Sequence, residues 1–167
     1  MTFNEHALEM SIMKLFESEG YEHLTGNDIH REKTDVLLID DLKNYLYDKY
    51  ADDGITPSEV ESIILTLRSV SDTVYEANKT VFKMICDGFI FNREDRTQKD
   101  LYIQLIDFDM PDNNVFKIVN QVEIQGRDHL RIPDGIVYVN GLPLVVLEFK
   151  TAIQENTTIM DAYKQLT

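Results

Sequence analysis

The stretch PDGIVYVNGLPLVVLEFK, residues 133–150, predicts two β-strands joined by a tight turn. The pair Asn140-Gly141 is favoured in two-residue hairpin loops, because both central residues there need a positive φ. The segments on either side are apolar and rich in valine, as β-strands often are. The second strand, however, ends in two charged residues, Glu148 and Lys150. An apolar run fit for a buried strand has no structural need for these charges, so they mark a candidate functional site.

The charges of this hairpin are predicted to meet at one end of the sheet. Positions two apart in a strand share a face, so Glu148 and Lys150 point the same way as Leu144 and Val146. Asp134 stands at the head of the first strand, and the hairpin returns Glu148 towards it. Two carboxylates and one ammonium group are therefore expected to converge. The opposite face, predicted to point into the core, carries Val145, Leu147 and Phe149.

This cluster of charges has two interpretations. A salt bridge of Lys150 with Glu148 or Asp134 would contribute about 0–1 kcal/mol if it is exposed. A half-buried ion pair gains little over apolar side chains, because each charge costs several kcal/mol to remove from water. A divalent cation changes that balance. Two carboxylates and a few waters form an Mg²⁺ site, which neutralises the carboxylates and leaves the lysine for chemistry.

The composition limits the class of protein. The 167 residues are 43% hydrophobic, enough for one domain with a proper core. No apolar run approaches the roughly 18 residues that cross a bilayer, and the first residues show no export signal, so no membrane association is expected. Cys86 is the single cysteine and lies in an apolar segment, which predicts a buried structural thiol. One cysteine allows no internal disulfide, and a reducing cytoplasm fits.

The chain is strongly acidic, with 30 acidic and 16 basic residues and a net charge of −14. A domain that binds nucleic acid by neutralising phosphates needs a basic surface. The charge therefore argues against such binding by this chain alone. Any role on DNA would need basic surfaces elsewhere or a metal ion that offsets the local charge.

Helical periodicity predicts four helices in the first half of the chain. Thr56 and Pro57 suit the start of the third, and Ser58 with Glu61 is expected to form its capping box. Gly88 would end the fourth. Residues 34–87 are predicted to be a helical insertion within a single domain spanning 1–167. The helices are expected within 5–18, 34–50, 55–70 and 74–86, although DVLLID, residues 35–40, could begin as a strand.

The remaining segments predict strands and one further helix. Residues 101–109 and 115–125 alternate like strands, with MPDNN as the turn between them. Residues 19–24 are expected to form a turn, and 92–100, with its mixed charges, a solvated loop. TTIMDAYKQLT, residues 157–167, predicts a helix. Helices and strands in this order predict an α/β fold.

Three segments resemble the N-terminal nuclease domain of type I restriction endonuclease R subunits. They are LIDFDMPDNNVFKIVNQVEI, RIPDGIVYVNGLPLVVLEFKTA and TTIMDAYKQL. Pro133-Asp134, then Glu148 and Lys150, follow the PD-(D/E)xK signature of a nuclease superfamily. A bare D…ExK pattern arises by chance in many proteins, but within NGLPLVVLEFK on a predicted hairpin it is specific. The resemblance implies a restriction-endonuclease-like mixed β-sheet flanked by helices.

The resemblance also implies roles for individual residues. Asp134 and Glu148 would bind Mg²⁺, with the backbone carbonyl of Phe149 as a third oxygen ligand. Lys150 would orient or deprotonate the attacking water and stabilise charge on the phosphate. Gln165 would begin a Gln-x-x-x-Tyr element, whose tyrosine would fall four residues later. Gln165 at a helix end is also the kind of residue that is often simply on the surface.

The first helix offers a further acidic ligand. Glu5 and Glu9 lie on or beside its apolar stripe rather than opposite it. Related nucleases often bring an acidic residue from this helix to the metal, and Glu9 is preferred over Glu5 for that role. The alternative is that both are helix-start carboxylates favoured by the helix dipole. Arg131 is expected either to contact a phosphate or to be an ordinary surface charge.

By resemblance, the function is that of a type I site-specific deoxyribonuclease. The chain would be its Mg²⁺-dependent endonuclease module, cutting double-stranded DNA without sequence preference of its own. The implied partners are helicase motor domains of the same subunit and the methyltransferase and specificity subunits. The sequence has no Gly-rich phosphate loop, so ATP would be required by the full-length subunit and not bound here. The alternatives are a degenerate nuclease fold that only docks onto DNA or subunits, and a purely structural domain.

Overall fold

The structure, a computed structural model, describes residues 5–70, 73–126 and 128–150. Its described residues fall into two units: one runs up to Leu38 and resumes at Val115, and the other is Ile39–Asn114. The first unit contains the hairpin and the candidate site. In chain order the elements are α1 Glu5–Ser18, β1 Glu22–Thr25, α2 Ile39–Lys49, α3 Pro57–Arg68, α4 Val74–Asp87, β2 Phe89–Phe91, β3 Leu101–Ile103, β4 Phe116–Asn120, β5 Ile124–Gln125, β6 Leu130–Arg131, β7 Gly135–Val139 and β8 Leu142–Leu147.

A four-stranded mixed sheet forms the centre of the first unit, in the order β1-β4-β7-β8. Strand β1 runs parallel to β4, whereas β4 with β7 and β7 with β8 are antiparallel. Helix α1 contacts β1 and β4. The predicted α/β fold with a mixed sheet is therefore confirmed.

Apolar side chains cover both faces of the two central strands. On one face, Met13 of α1 packs with Ile118 and Val137. On the other, Val119 and Ile136 belong to a second buried cluster, which also contains Leu38, Val122 and Tyr138. Successive strand residues point to opposite faces, so burial of both faces explains why β7 is apolar almost without interruption.

The predicted hairpin is confirmed, but β8 is less buried than expected. Asn140 and Gly141 have φ values of 50° and 78°, as a two-residue turn requires. A register shift follows, because Tyr138 pairs with Pro143 while Val137 pairs with Val145. The expectation that Val145 points into the core is wrong, since it is 47% exposed. Val145 is exposed because β8 is an edge strand of the described sheet.

Two local predictions in the strand regions are wrong. Residues 19–24 do not form only a turn, because β1 begins at Glu22, after Gly20 has ended α1 with a φ of 91°. Segment 101–109 forms only the three-residue β3, which pairs with β2. Pairing between distant segments decided both cases, and local alternation does not report it.

In the second unit, α2 and α3 contact each other. Their buried faces carry Leu42, Tyr45 and Leu46 from α2, and Val60, Ile63, Ile64 and Leu67 from α3. The capping box of α3 is formed by Thr56 and Glu59, not by Ser58 and Glu61 as predicted. The assignment of 34–87 as a helical insertion within one domain stays a prediction.

A buried ion pair holds the loop that follows β2 in this unit. The Arg93 guanidinium donates from Nε to Glu59 Oε1 and from Nη2 to Glu59 Oε2, both at 2.9 Å. It also donates to the carbonyl oxygens of Asp53 and Gly54. Arg93 is only 4% exposed, so the prediction of a solvated loop over 92–100 is wrong at this residue.

The prediction that Cys86 is a buried thiol is also wrong, because Cys86 is exposed. It lies on α4, a helix that leaves Tyr75 and Phe82 exposed as well. Apolar neighbours in sequence do not bury a helical residue, since consecutive residues point in different directions around the axis. None of the helices among the described residues is both long and apolar enough to cross a membrane.

Candidate active site at the end of the β7–β8 hairpin

The hairpin brings Asp134 and the segment after β8 together. Gly135 pairs with Leu147, so the residues just outside this pair, Asp134 and Glu148, lie at the same end of the sheet. The backbone N–H of Phe149 donates to Asp134 Oδ2 at 2.6 Å. This bond joins the start of the first strand to the end of the second. The side chain of Phe149 packs on the cluster of Met13, Ile118 and Val137 and anchors the segment.

Lys150 is held by Glu148. Its Nζ donates to Glu148 Oε1 at 3.0 Å, and the two side chains are 26% and 12% exposed. This hydrogen bond is the main reason that the pKa of Lys150 is raised, and the nearby carboxylates of Glu5 and Asp134 add to it. Lys150 therefore carries a positive charge at neutral pH in this arrangement.

Asp134 is a carboxyl group in an unfavourable environment for its charge. Burial raises its pKa, and the neighbouring carboxylates of Glu148 and Glu9 raise it further. The Phe149 N–H and the Lys150 ammonium act in the opposite direction without cancelling this effect. The negative charge of Asp134 is therefore unfavourable here, first because it is partly buried and then because other carboxylates lie near it. A bound cation would stabilise that charge.

Glu9 reaches the same place from α1. It is 7% exposed, and its Oε1 accepts from Asn120 Nδ2 at 2.8 Å and from Gln121 Nε2 at 3.1 Å. Its negative charge raises the pKa of Asp134. Glu5, the alternative metal ligand predicted from α1, is exposed, and its charge raises the pKa of Lys150 instead.

The sequence reasoning missed Asn120 and Gln121, which orient Glu9. Asn120 is the last residue of β4 and Gln121 follows it. Asn120 pairs with Gly135, the residue after Asp134. Asn120 Oδ1 also lies 3.1 Å from His23 Nε2 on β1. Gln121 has a φ of 56°, rare for a residue with a side chain. Two amides directly after a buried apolar strand are the signal that would have pointed to them.

The donor set suits an ion that needs few protein ligands. Among residues 5–70, 73–126 and 128–150 there is no group of three or more His, Cys, Asp or Glu side chains placed to hold a metal ion. Mg²⁺ keeps several waters and is often bound by only one or two carboxylates. Asp134 and Glu148 fit that requirement. Glu9 already accepts two amide hydrogen bonds through one oxygen.

The other predicted site residues can be placed as follows. Arg131 lies on β6 and lines a cleft that Glu148 also lines. The predicted role of the Phe149 carbonyl oxygen as a metal ligand stays a prediction, as do the metal-binding roles of Asp134, Glu148 and Glu9. Gln165 lies outside the described residues, as does the predicted helix over 157–167.

Comparison with known proteins identifies relatives over nearly the whole chain. Residues 2–167 match the family model described as type I restriction enzyme R protein N terminus. The type I restriction enzyme HindI endonuclease subunit of Haemophilus influenzae is 32% identical over 97% of this chain and 16% of its own length. The SauCOLORF180P endonuclease subunit of Staphylococcus aureus is 26% identical over 98% of the chain. The SsaAORF53P endonuclease subunit of Staphylococcus saprophyticus is 27% identical over 98%.

The chain thus spans 16% of the length of these curated relatives. The family match covers more than the hairpin, since it includes α1 and the whole second unit. It agrees with the resemblance seen in the three sequence segments. The chain belongs to the family of N-terminal domains of type I restriction enzyme R proteins.

Proposed function

We propose that this chain is the nuclease module of a type I restriction enzyme endonuclease subunit and that it hydrolyses DNA phosphodiesters at Asp134, Glu148 and Lys150. The observation that carries the proposal is the joining of the two hairpin ends. Asp134 accepts from the Phe149 N–H while Lys150 donates to Glu148. The endonuclease names of the relatives support it.

We propose Mg²⁺ as the cofactor, held by Asp134 and Glu148. The raised pKa of Asp134 supports this, because burial and then the carboxylates of Glu148 and Glu9 make its negative charge unfavourable without a cation bound there. When bound, Mg²⁺ would polarise the phosphate and lower the pKa of a coordinated water. Glu9, held by two amides, would set the local charge and orientation next to Asp134.

Lys150 acts on the phosphate and on the attacking water. A lysine carries a proton at neutral pH, and the raised pKa of Lys150 means that this proton is held more tightly. Its ammonium group is thus suited to orient the water and to stabilise negative charge that develops on the phosphate. When DNA is absent, the hydrogen bond to Glu148 keeps the ammonium group at the site.

The acidic surface fits a module that receives DNA from other parts of an enzyme. With a net charge of −14, the chain is poorly suited to hold double-stranded DNA by itself. We propose that helicase motor domains of the same subunit deliver the DNA at the expense of ATP. The methyltransferase and specificity subunits would complete the complex. Recognition of sequence would then lie outside this chain, and cutting would have no sequence preference of its own.

The test is substitution of the three residues in the full-length subunit, assembled with its partner subunits. Asp134→Ala, Glu148→Ala and Lys150→Ala should each abolish DNA cutting, while ATP hydrolysis persists. Glu19→Ala, which removes an exposed carboxylate after α1, is the control and should cut normally. Retained cutting by any of the three variants would refute the mechanism.

The second candidate function is docking alone, without catalysis. It draws on the lack of a three-residue ligand set among the described residues. The two functions differ in metal binding. Calorimetric titration of the full-length subunit with Mg²⁺ in the absence of ATP should show a site that Asp134→Ala removes if the module is a nuclease, and no such site if it only docks.

A further inference from the structure

A cleft with a volume of about 510 Å³ opens directly beside the candidate active site. Val146 and Glu148, two apart on the same side of the chain, contribute from the β8 segment. The opposite side comes from the β5–β6 ribbon and the residues that follow it. Glu148 lines the cleft and also belongs to the candidate active site. A ligand in the cleft would therefore lie next to the proposed catalytic residues.

The lining of the cleft is mostly apolar. Five of its side chains are Ile124, Leu130, Ile132, Pro133 and Val146. Three of these apolar side chains are largely exposed to solvent: Leu130 is 46%, Ile132 47% and Val146 47% exposed. Leaving these side chains in water is unfavourable. A ligand that covers them with its own apolar faces would gain free energy.

Among the described residues that line the cleft, Arg131 is the cation and Glu148 is the anion. A surface that tracks DNA through its phosphates alone needs several basic side chains, and the described part of this lining supplies a single guanidinium. The lining instead fits a ligand with one phosphate and a larger apolar part. A nucleotide has this composition, since its sugar and base present C–H and π faces. The volume lies within the range of about 300–1,000 Å³ that small-ligand pockets have.

We propose that this cleft binds the sugar and base of one nucleotide of the cut strand, next to the phosphodiester that is hydrolysed. Arg131 contacts the phosphate of that nucleotide, and the apolar walls cover its sugar and its base, which must leave the duplex to enter the cleft. Glu148 lies at the end of the cleft that faces the scissile phosphate. The inference rests on the proposed nuclease function and assigns to that site a position for the substrate strand.

Strand β8 offers a matched pair of substitutions. Val146 lines the cleft, whereas its neighbour Val145 points to the other face of the strand, and each is 47% exposed. Val146→Thr and Val145→Thr replace the same side chain by a polar one of the same shape. Threonine is a good strand residue, so the strand should be preserved in both.

The measurement is the single-turnover rate of DNA cutting by the full-length subunit in its assembled complex. Val146→Thr should lower the rate by about fivefold, because a polar wall replaces an apolar contact. Val145→Thr should stay within about twofold of the parent. Ile132→Thr, from the opposite wall, should act like Val146→Thr, which guards against a local folding defect. Equal rates for the Val146 and Val145 variants would overturn the inference.

Binding of a small probe gives a readout that does not depend on cutting. Saturation-transfer NMR with dTMP, without Mg²⁺ or ATP, should show contact with the parent subunit. The signal should weaken in Val146→Thr and Arg131→Gln but not in Val145→Thr, and an equal signal in all four proteins would overturn the inference. Asp134→Ala separates the two proposals. If the Asp134→Ala variant still cuts DNA, both the nuclease proposal and the cleft inference fail. If that variant is inactive but the Val146 and Val145 variants cut equally fast, only the cleft inference fails.

Discussion

At the scale of single residues, Asp134 combines a structural cost with a proposed chemical role. Its pKa is raised by burial first and then by Glu148 and Glu9. The folded state therefore binds the Asp134 proton more tightly than the unfolded state does. The contribution of this group to stability is complete at low pH and is lost as the pH rises through the folded pKa. At neutral pH the charged Asp134 destabilises the fold.

Asp134→Asn should consequently stabilise the 167-residue chain at pH 7 while it abolishes cutting in the full-length subunit. The asparagine carbonyl can still accept from the Phe149 N–H, but it carries no charge. The gain in the midpoint of thermal unfolding should shrink as the pH falls, because Asp134 itself then becomes protonated and neutral.

Asp28→Asn is the control of opposite sign. The pKa of Asp28 is lowered, chiefly by hydrogen bonds from the hydroxyl and the N–H of Thr25. Its substitution should lower the unfolding midpoint at pH 7. A loss of stability in Asp134→Asn at that pH would contradict the prediction that the charge of Asp134 destabilises the folded state.

At the scale of secondary-structure elements, two glycines let neighbouring elements approach the site closely. A Cβ on Gly26, just after β1, would lie 2.2 Å from the backbone oxygen of Gln121. A Cβ on Gly135, the first residue of β7, would lie 2.9 Å from Met13 Cε. The first obstacle is backbone, and the second is the mobile end of a long side chain.

Gly26→Ala should therefore destabilise the chain by more than Gly135→Ala, by roughly 1–3 kcal/mol against less than about 1.5 kcal/mol. Denaturant unfolding of the two variants measures the difference. Gly26→Ala should also reduce DNA cutting in the full-length subunit, because it displaces Gln121, which donates to Glu9. An equal loss of stability in the two variants would show that the β1–β4 junction is not rigid.

At the scale of the whole molecule, β7 and α3 should respond to acid with opposite signs, because the perturbed carboxyl groups next to β7 and on α3 have pKa values shifted in opposite directions. In the second unit the pKa values of Glu59 and Asp107 are lowered, chiefly by Arg93 and Lys49 respectively. Their contribution to stability is present above the unfolded values, about 4, and is lost as the pH falls through the folded ones. Asp134 in the first unit favours the folded state at low pH.

Acidification from pH 7 to below about 4 should thus weaken α3 more than β7. Hydrogen exchange, corrected for the intrinsic effect of pH, reports the two elements separately. Lys49→Met should flatten the acid response of the second unit, because it removes the main cause of the shift at Asp107. Equal loss of protection in α3 and β7 would contradict the prediction.

The sequence alone was a good guide where the signal is local. The periodicity of α1 and the glycine that follows α4 predicted both helices closely. Asn140-Gly141 predicted the hairpin, and the hairpin places Asp134 near Glu148 because two strands joined by a tight turn return the chain on itself. For that reason the three residues of the proposed nuclease site could be predicted from the sequence.

Tertiary structure decided the features that depend on distant partners. Glu9 is held by Asn120, 111 residues away, and Glu59 by Arg93, 34 residues away. The parallel pairing of β1 with β4 and the exposure of Val145 at the end of the sheet belong to the same class. Turns and periodicity act between neighbours along the chain, and so the sequence determined the hairpin and its charges. Burial and long-range hydrogen bonds arise only when separate segments of the chain pack together. The fold therefore decided which amides orient Glu9 and which face of β8 lines the cleft.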